Sequence, residues 1–145
     1  VLFVQFFKED GAGSGEKAFF MAFAQTIELI RSNCRHPIFT KDGTDMSRVQ
    51  GSVTETFNLV KEKISRGGAF DLLVLDEVMA AINGGWLKIE ELTEFLNTRP
   101  VKLEVVLTGR GAPVQLVRLS DYVTEMLNIK HPFDAGVGAR QGIEF

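Results

Sequence analysis

The sequence predicts an α/β fold built around a mostly parallel sheet. Three strand-length apolar runs carry this prediction, at Val1–Phe7, Phe70–Leu75 and Leu103–Leu107, and helix-like patterns lie between them. Strands that alternate with helices form parallel sheets, and continuous apolar runs are typical of strands covered on both faces. The chain has 145 residues, so we expect a single domain over residues 1–145.

The first half of the chain predicts two helices separated by loops. The second helix is the better supported, because its apolar residues recur in steps of three and four and Arg66-Gly67-Gly68 follows it. The first is rich in Phe and Ala and is either a core helix or a homodimer interface. In chain order, the elements are a loop over Lys8–Glu16, a helix over Lys17–Arg31, a loop over Ser32–Asp45 with a short strand at Ile38–Phe39, and a helix over Met46–Ser65.

The second half predicts short helices after each strand and a loop-rich tail. Glycine and proline mark most of the boundaries. The predicted elements are helices over Val78–Ile82, Lys88–Asn97 and Pro113–Leu119, and short strands over Tyr122–Met126 and Ile143–Phe145.

Composition narrows the classes of function. With 16 basic and 19 acidic side chains, the net charge is −3, so a broad basic surface for nucleic acid is not expected. The single cysteine, Cys34, excludes an internal disulfide and a Cys-based zinc site. No apolar run reaches the ~20 residues that span a bilayer. We therefore expect a cytoplasmic protein without a membrane or nucleic-acid partner.

An acidic pair follows the second strand, and this Walker B-like pattern is the main chemical signal. Asp76 and Glu77 come after four aliphatic residues, and carboxylates there can hold Mg²⁺ on nucleotide phosphates. The alternative is a strand that ends in two solvated acids. Parallel strands bind ligands beyond their carboxyl ends. The acidic pair should therefore lie near the loop after Phe7 and near Thr108-Gly109-Arg110.

Other candidates carry weaker signals. The glycine-rich Gly11–Lys17 fails as a P-loop, because Glu16 separates Gly15 from Lys17 and Ala18 replaces the Mg²⁺-binding hydroxyl. Arg110 is either a phosphate-binding fork or an exposed residue of a turn. His131 is either a base or ligand, or a structural residue beside a proline.

Taken together, these segments resemble the P-loop type of ATP:corrinoid adenosyltransferases, also called cob(I)alamin adenosyltransferases. The resemblance extends from Val1 to Phe145 and is weakest over Lys17–Ser65. The matching segments are Val4–Lys8 with Gly15-Glu16, Asp71–Glu77, Asn97–Pro100, Val105–Arg110, Ala112-Pro113, Asp121–Met126, Lys130–Asp134 and Gly142–Phe145.

The resemblance implies a RecA-like P-loop NTPase fold with helices on both faces of the sheet. It implies that Co(I) of a reduced corrinoid attacks the ribose 5′ carbon of ATP and displaces triphosphate. Asp76 and Glu77 would then hold Mg²⁺, and Thr108 and Arg110 would lie near the phosphates. The loop that includes Glu16 and the tail around His131 would shape the substrate cleft.

The sequence departs from the family pattern in two places. The family has a strand, a P-loop and a helix before the segment that matches Val1. We therefore expect that the chain lacks an N-terminal part, with a slot in the sheet unless another segment fills it. The family also has a Phe-x-Trp pair against the corrinoid; Phe39 matches its first residue, but Lys41 stands at the tryptophan position and Trp86 lies elsewhere.

The resemblance also implies a reductase that supplies Co(I), and it allows a homodimer. Two alternatives remain open. One is a non-catalytic corrinoid- or nucleotide-binding module of the same fold. The other is a generic RecA-like ATPase.

Overall fold

Four parallel strands form one sheet in the computed structural model, which describes residues 1–9, 15–37, 45–67, 70–140 and 143, without the side chains of 15–18. The spatial order is β2-β1-β3-β4. All three neighbouring pairs are parallel, which confirms the predicted α/β class. The strands are β1 Leu2–Gln5, β2 Glu28–Arg31, β3 Leu72–Asp76 and β4 Glu104–Leu107.

Five α-helices connect and cover the described strands. The second helix begins and ends where its apolar period predicts, and Asp45 caps its N-terminus. The helices are α1 Gly15–Ala22, α2 Met46–Ser65, α3 Val78–Asn83, α4 Ile89–Thr98 and α5 Val114–Leu119; a 3₁₀ helix covers Pro132–Ala135. In the part of the chain that the structure describes, none of these helices has the length and apolarity that crossing a membrane requires.

One face of the sheet carries the core. Leu2 and Val4 of β1 pair in register with Leu73 and Leu75 of β3, and all four are fully buried. The large apolar side chains of α2 and α4 join this core, where the rings of Phe57 and Phe95 lie 5.6 Å apart, edge to face. Burial of apolar and aromatic side chains in this way is the main favourable contribution to folding.

The opposite face of the sheet is only partly covered. Phe3 lies in register with Leu29 and Val74, and Val74 lies in register with Val106. Phe20 of α1 packs on Phe3 with ring centroids 4.7 Å apart, but Val106 remains 44% exposed. Among the described residues, the strands are therefore fully covered on one face alone, so the predicted cover on both faces is confirmed only in part.

The predicted helix over Lys17–Arg31 is wrong in its second half. The helix ends at Ala22, and Glu28–Arg31 forms β2 on the outer edge of β1. No glycine or proline marks the change, but Thr26, Ile27 and Ile30 are β-branched and suit a strand. Pairing with β1 therefore outweighs the local helical pattern.

The predicted strand over Tyr122–Met126 is also wrong. These residues have no regular structure, and Tyr122 and Met126 are 94% and 93% exposed. A strand needs a hydrogen-bonded neighbour, and no described strand lies beside this segment. The predicted strand at Ile38–Phe39 and most of that at Ile143–Phe145 lie outside the described residues.

The expected slot between strands is absent from the described sheet. Each of the four strands is hydrogen-bonded to the next in an unbroken order. β4 is an edge strand, and its outward edge has no partner among the described strands. An open edge of this kind presents a row of unpaired backbone groups.

Candidate functional site

The carboxyl ends of all four strands bring four polar residues into one line. Arg31 of β2 and Asp76 of β3 are both in register with Gln5 of β1. Leu107 of β4 is in register with Leu75, so Thr108 follows β4 beside Asp76. We call Arg31, Gln5, Asp76 and Thr108 the carboxyl-end row. The predicted convergence of Asp76 with Thr108 is confirmed.

Both carboxylate oxygens of Asp76 accept a hydrogen bond within this row. The Thr108 hydroxyl donates to Oδ1 at 2.7 Å, and the Gln5 side-chain amide donates to Oδ2 at 3.4 Å. Asp76 is half-buried. An ionised carboxylate has about four lone-pair positions, so each oxygen keeps acceptor capacity for a ligand. Two hydrogen bonds thus hold Asp76 from both sides, and its carboxylate oxygens can still bind a ligand.

Glu77 has a left-handed backbone with φ 60° and ψ 23°, which is unfavourable for a residue other than glycine. Its backbone N–H donates to the Thr108 hydroxyl at 3.0 Å, and its side chain points out at the surface, where the residue is exposed. Strained backbone of this kind concentrates at functional sites. The chain therefore turns sharply after Asp76, at the residue that carries the second carboxylate of the acidic pair.

The turn after β4 is fixed by contacts with α3. The side-chain amide of Asn83 donates to the carbonyl oxygens of Arg110 and Gly111 at 3.0 and 3.1 Å. Gly109 has φ 135°, and a Cβ there would lie 2.7 Å from Cβ of Met79. The turn therefore requires glycine at this position. Arg110 itself is exposed and follows Thr108 by two residues.

The remaining predicted site residues lie apart from the row or outside the described residues. His131 caps the 3₁₀ helix, where its Nδ1 accepts a hydrogen bond from the backbone N–H of Phe133 at 3.1 Å. No hydrogen bond among the described residues links His131 to the carboxyl-end row. Glu16 lies in the first turn of α1, without a described side chain, and Phe39 and Lys41 fall outside the described residues.

An aromatic cluster lies just beyond β1. The ring of Phe7 is 4.8 Å from that of His36 and 5.4 Å from that of Trp86, both edge to face. The Trp86 ring lies so close to Gly84 that a Cβ there would be 2.2 Å from it. Trp86 is far from Phe39 in the sequence. In the structure, its ring packs against that of His36, which comes three residues before Phe39 in the chain.

The side-chain oxygens at the ends of β3 and β4 suit a hard divalent cation. Carboxylate and hydroxyl oxygens are the ligands that Mg²⁺ takes, usually with one or two carboxylates and several waters. Asp76, Glu77 and Thr108 supply such oxygens. A dedicated cage of three or more His, Cys, Asp or Glu residues is absent from the described part of the chain. The residues therefore fit Mg²⁺ held together with a phosphate ligand better than a metal held by protein alone.

Gln5 and Arg31 belong to the carboxyl-end row, but the sequence analysis did not single them out. Both belong to strand positions where an apolar residue is the usual choice, and both are buried. A glutamine within the apolar run Val1–Phe7 was a visible signal, because a buried polar residue needs partners. Arg31 was not expected to be a strand residue, because the pattern of Lys17–Arg31 predicts a helix.

The fold and the row define a class: a parallel α/β protein with an acidic pair at the carboxyl end of an inner strand, where nucleotides bind in such sheets. The chain belongs to the ATP:corrinoid adenosyltransferase family, because the family model described as "ATP:corrinoid adenosyltransferase BtuR/CobO/CobP" matches residues 1–145. The family that the sequence motifs resemble is thereby confirmed.

Several relatives bear the name corrinoid adenosyltransferase. The protein from Pseudomonas aeruginosa is 32% identical over 142 residues, which are 98% of this chain and 68% of the relative. The Sinorhizobium protein is 37% identical over 108 residues, and the Escherichia coli K12 protein is 33% identical over 107. Each of these two matches covers 74% of this chain, and 50% and 54% of the relatives. The chain thus spans about two thirds of the first relative and about half of the others.

Proposed function

We propose that the protein transfers the 5′-deoxyadenosyl group of ATP to the Co(I) centre of a corrinoid, with release of triphosphate. The observation that carries the proposal is the Asp76 carboxylate, held from both sides at the carboxyl end of an inner strand. Membership of the family supports the substrates. The names of the relatives agree with them.

The reaction needs positioning and charge neutralisation from the protein more than a nucleophile. Co(I) of the corrinoid substrate supplies the electron pair that forms the cobalt–carbon bond, and the bond from the 5′ carbon to the triphosphate oxygen breaks. The leaving triphosphate gains negative charge. Groups that are aimed in advance at such charge lower the barrier.

Asp76 and Glu77 are the residues that would hold Mg²⁺, which neutralises phosphate charge when bound. The Thr108 hydroxyl orients the Asp76 carboxylate and binds the backbone N–H of Glu77, so one side chain contacts both residues of the acidic pair. Arg110 is exposed beyond the turn and would contact phosphate oxygens with its planar fork of donors. Glu16, Phe39 and His131 belong to the segments that would shape the substrate cleft.

Two kinds of partner are expected: a reductase and a second copy of the chain. Co(I) is a strong reductant, so a reductase must supply the corrinoid in that state. A second copy of the chain is a further candidate, because the rings of Phe19 and Phe23 in the α1 region lie 4.7 Å apart and these residues are 56% and 48% exposed. Exposed aromatic residues are enriched at interfaces.

The proposal is tested by a turnover assay under anaerobic conditions. The protein, expressed from its complete reading frame, is mixed with Mg²⁺-ATP and chemically reduced cobalamin. We expect the visible spectrum to change to that of the adenosylated corrinoid, with one triphosphate released for each cobalt–carbon bond. Asp76→Asn keeps the size of the side chain and removes its charge, so it should lower turnover by about 10–100-fold.

A matched control separates this loss from damage to the fold. Asp71 is an exposed acid just before β3, at the opposite end of the strand from Asp76, and Asp71→Asn should leave turnover unchanged. Corrinoid binding without adenosylation would instead indicate a non-catalytic module. Release of ADP and phosphate, stimulated by nucleic acid, would indicate a generic ATPase.

A further inference from the structure

We propose that Gln5 and Arg31 are positioning residues that orient the Asp76 carboxylate for its divalent cation. The inference rests on the proposed function, since it concerns the same carboxylate. Neither residue is expected to touch substrate. They act from the two strands on the far side of Asp76 from Thr108.

The hydrogen bonds of the row fix the orientation of the Gln5 amide. Arg31 Nε donates to Gln5 Oε1 at 3.0 Å, so the oxygen end of the amide faces Arg31. The nitrogen end must then face Asp76, where Nε2 lies 3.4 Å from Oδ2. Since arginine is a donor only, the reversed amide would place two donors against each other. Arg31 thereby determines that the amide nitrogen of Gln5, a donor, faces Asp76.

Burial makes this arrangement rigid. Gln5 is 2% exposed and Arg31 is 9% exposed, so water cannot replace their partners easily. Arg31 is held further by its Nη1, which donates to the backbone carbonyl of Glu9 at 3.3 Å. The parallel register also places Gln5 directly between Arg31 and Asp76. Residues packed in this way define a position to within a fraction of an ångström.

The glutamine has a specific advantage over a direct ion pair. An arginine against Asp76 would bind both oxygens as a two-pronged fork and would neutralise the charge. Gln5 instead presents a single neutral donor to Oδ2, and the cation of Arg31 stays one side chain away. Asp76 therefore meets a neutral donor on this side and keeps its remaining lone pairs for a metal.

The test measures Mn²⁺ binding by electron paramagnetic resonance, with and without ATP, on the protein from its complete reading frame. Gln5→Leu should weaken Mn²⁺ binding by about tenfold, as loss of a group that orients a metal ligand does. Arg31→Met should weaken it as well, because the Gln5 amide is then free to turn. The double variant should lose no more than Gln5→Leu alone, since Arg31 acts through Gln5.

Folding is controlled in two ways. If Gln5→Leu does not fold because Arg31 Nε loses its acceptor on Gln5, the double variant replaces both side chains of this hydrogen bond with apolar ones, which can be nearly neutral for stability. Arg99→Met is the matched control, because Arg99 also donates to backbone carbonyls, at Leu96 and Leu103, but lies after α4. It should lower stability and leave Mn²⁺ binding unchanged.

Two contrary results have different meanings. Mn²⁺ binding by the double variant within twofold of the unaltered protein, while Asp76→Asn binds much more weakly, would overturn this inference alone. If the unaltered protein and Asp76→Asn bind Mn²⁺ equally, the metal assignment in the proposed function is wrong, and the role of Gln5 and Arg31 is wrong with it.

Discussion

The Thr108 hydroxyl donates to Asp76 Oδ1 at 2.7 Å and accepts from the backbone N–H of Glu77 at 3.0 Å. One side chain at the end of β4 thus fixes two consecutive residues at the end of β3. The hydroxyl uses its single proton on the carboxylate and a lone pair on the amide. Its orientation is therefore determined, and Asp76 faces a donor on this side as well.

Thr108→Val should lower turnover by about tenfold and weaken Mn²⁺ binding, because it removes the donor and acceptor with little change of shape. The free energy of unfolding should fall by only about 1 kcal/mol, the usual worth of a lost hydrogen bond. Thr93→Val, which removes a bond from the hydroxyl to the Ile89 carbonyl in α4, is the control for stability. Thr108→Ser should retain activity; a loss there equal to that of Thr108→Val would contradict the role of the hydroxyl.

Glu77→Gly and Glu77→Ala should have the same effect on turnover and different effects on stability. Both remove the carboxylate, so turnover should fall alike. Glycine also relieves the left-handed backbone, which costs other residues about 1 kcal/mol, and alanine does not. Urea unfolding should therefore show Glu77→Gly to be the more stable by about that amount. Equal midpoints for the two variants would mean that the backbone here is unstrained.

Gly109→Ala should destabilise the protein by roughly 2–4 kcal/mol, because backbone strain and overpacking against Met79 both contribute. Turnover should fall too, since the turn carries Thr108 and Arg110. Gly51→Ala is the opposite case: it lies inside α2, and a Cβ there meets nothing within 4 Å. That change should stabilise by about 0.5–1 kcal/mol. Thermal unfolding of both variants checks the signs, and a neutral Gly109→Ala would contradict the close approach.

The N-cap of α2 predicts a pH dependence of stability. Hydrogen bonds from the side chain and backbone of Ser47 hold the pKa of the Asp45 carboxyl below its ordinary value of 3.8. The stabilisation is therefore present above pH 3.8 and is lost as the pH falls through the lower, folded-state pKa. Asp45→Ala should lower the urea midpoint at neutral pH, and its difference from the unaltered protein should shrink in acid.

Asp45→Asn is the matched control for this effect. Asparagine caps helices about as well as aspartate and does not titrate in this range. Its urea midpoint should stay close to that of the unaltered protein at neutral pH and exceed it in strong acid. A gap between Asp45→Ala and the unaltered protein that is constant with pH would contradict the titration of Asp45.

Much of the site follows from the sequence by one rule. In a parallel sheet, the residues after neighbouring strands meet at one edge, and this brought Asp76, Glu77 and Thr108 together correctly. The apolar period of Met46–Ser65 also gave α2 its true ends, because a regular amphipathic stripe on a long helix is a strong signal.

The errors arose where tertiary pairing decides the structure. Glu28–Arg31 becomes a strand because β1 offers it an edge, and Tyr122–Met126 is no strand because no described strand lies beside it. The same misassignment of β2 hid the role of Arg31. His131 shows a further limit, since its use of Nδ1 as a helix cap depends on backbone geometry that composition does not reveal.

The carboxyl-end row has one member at the end of each strand, so it forms only when all four strands have paired. Because successive side chains of a strand point to opposite faces, a slip of one residue in any strand would break the line of donors. Thr108 follows β4, the strand farthest along the chain from Gln5, so the row is complete only once β4 has paired with β3. Mn²⁺ bound at Asp76 would therefore report on the pairing of β4 during refolding, with weaker binding by any intermediate in which that pairing has not formed.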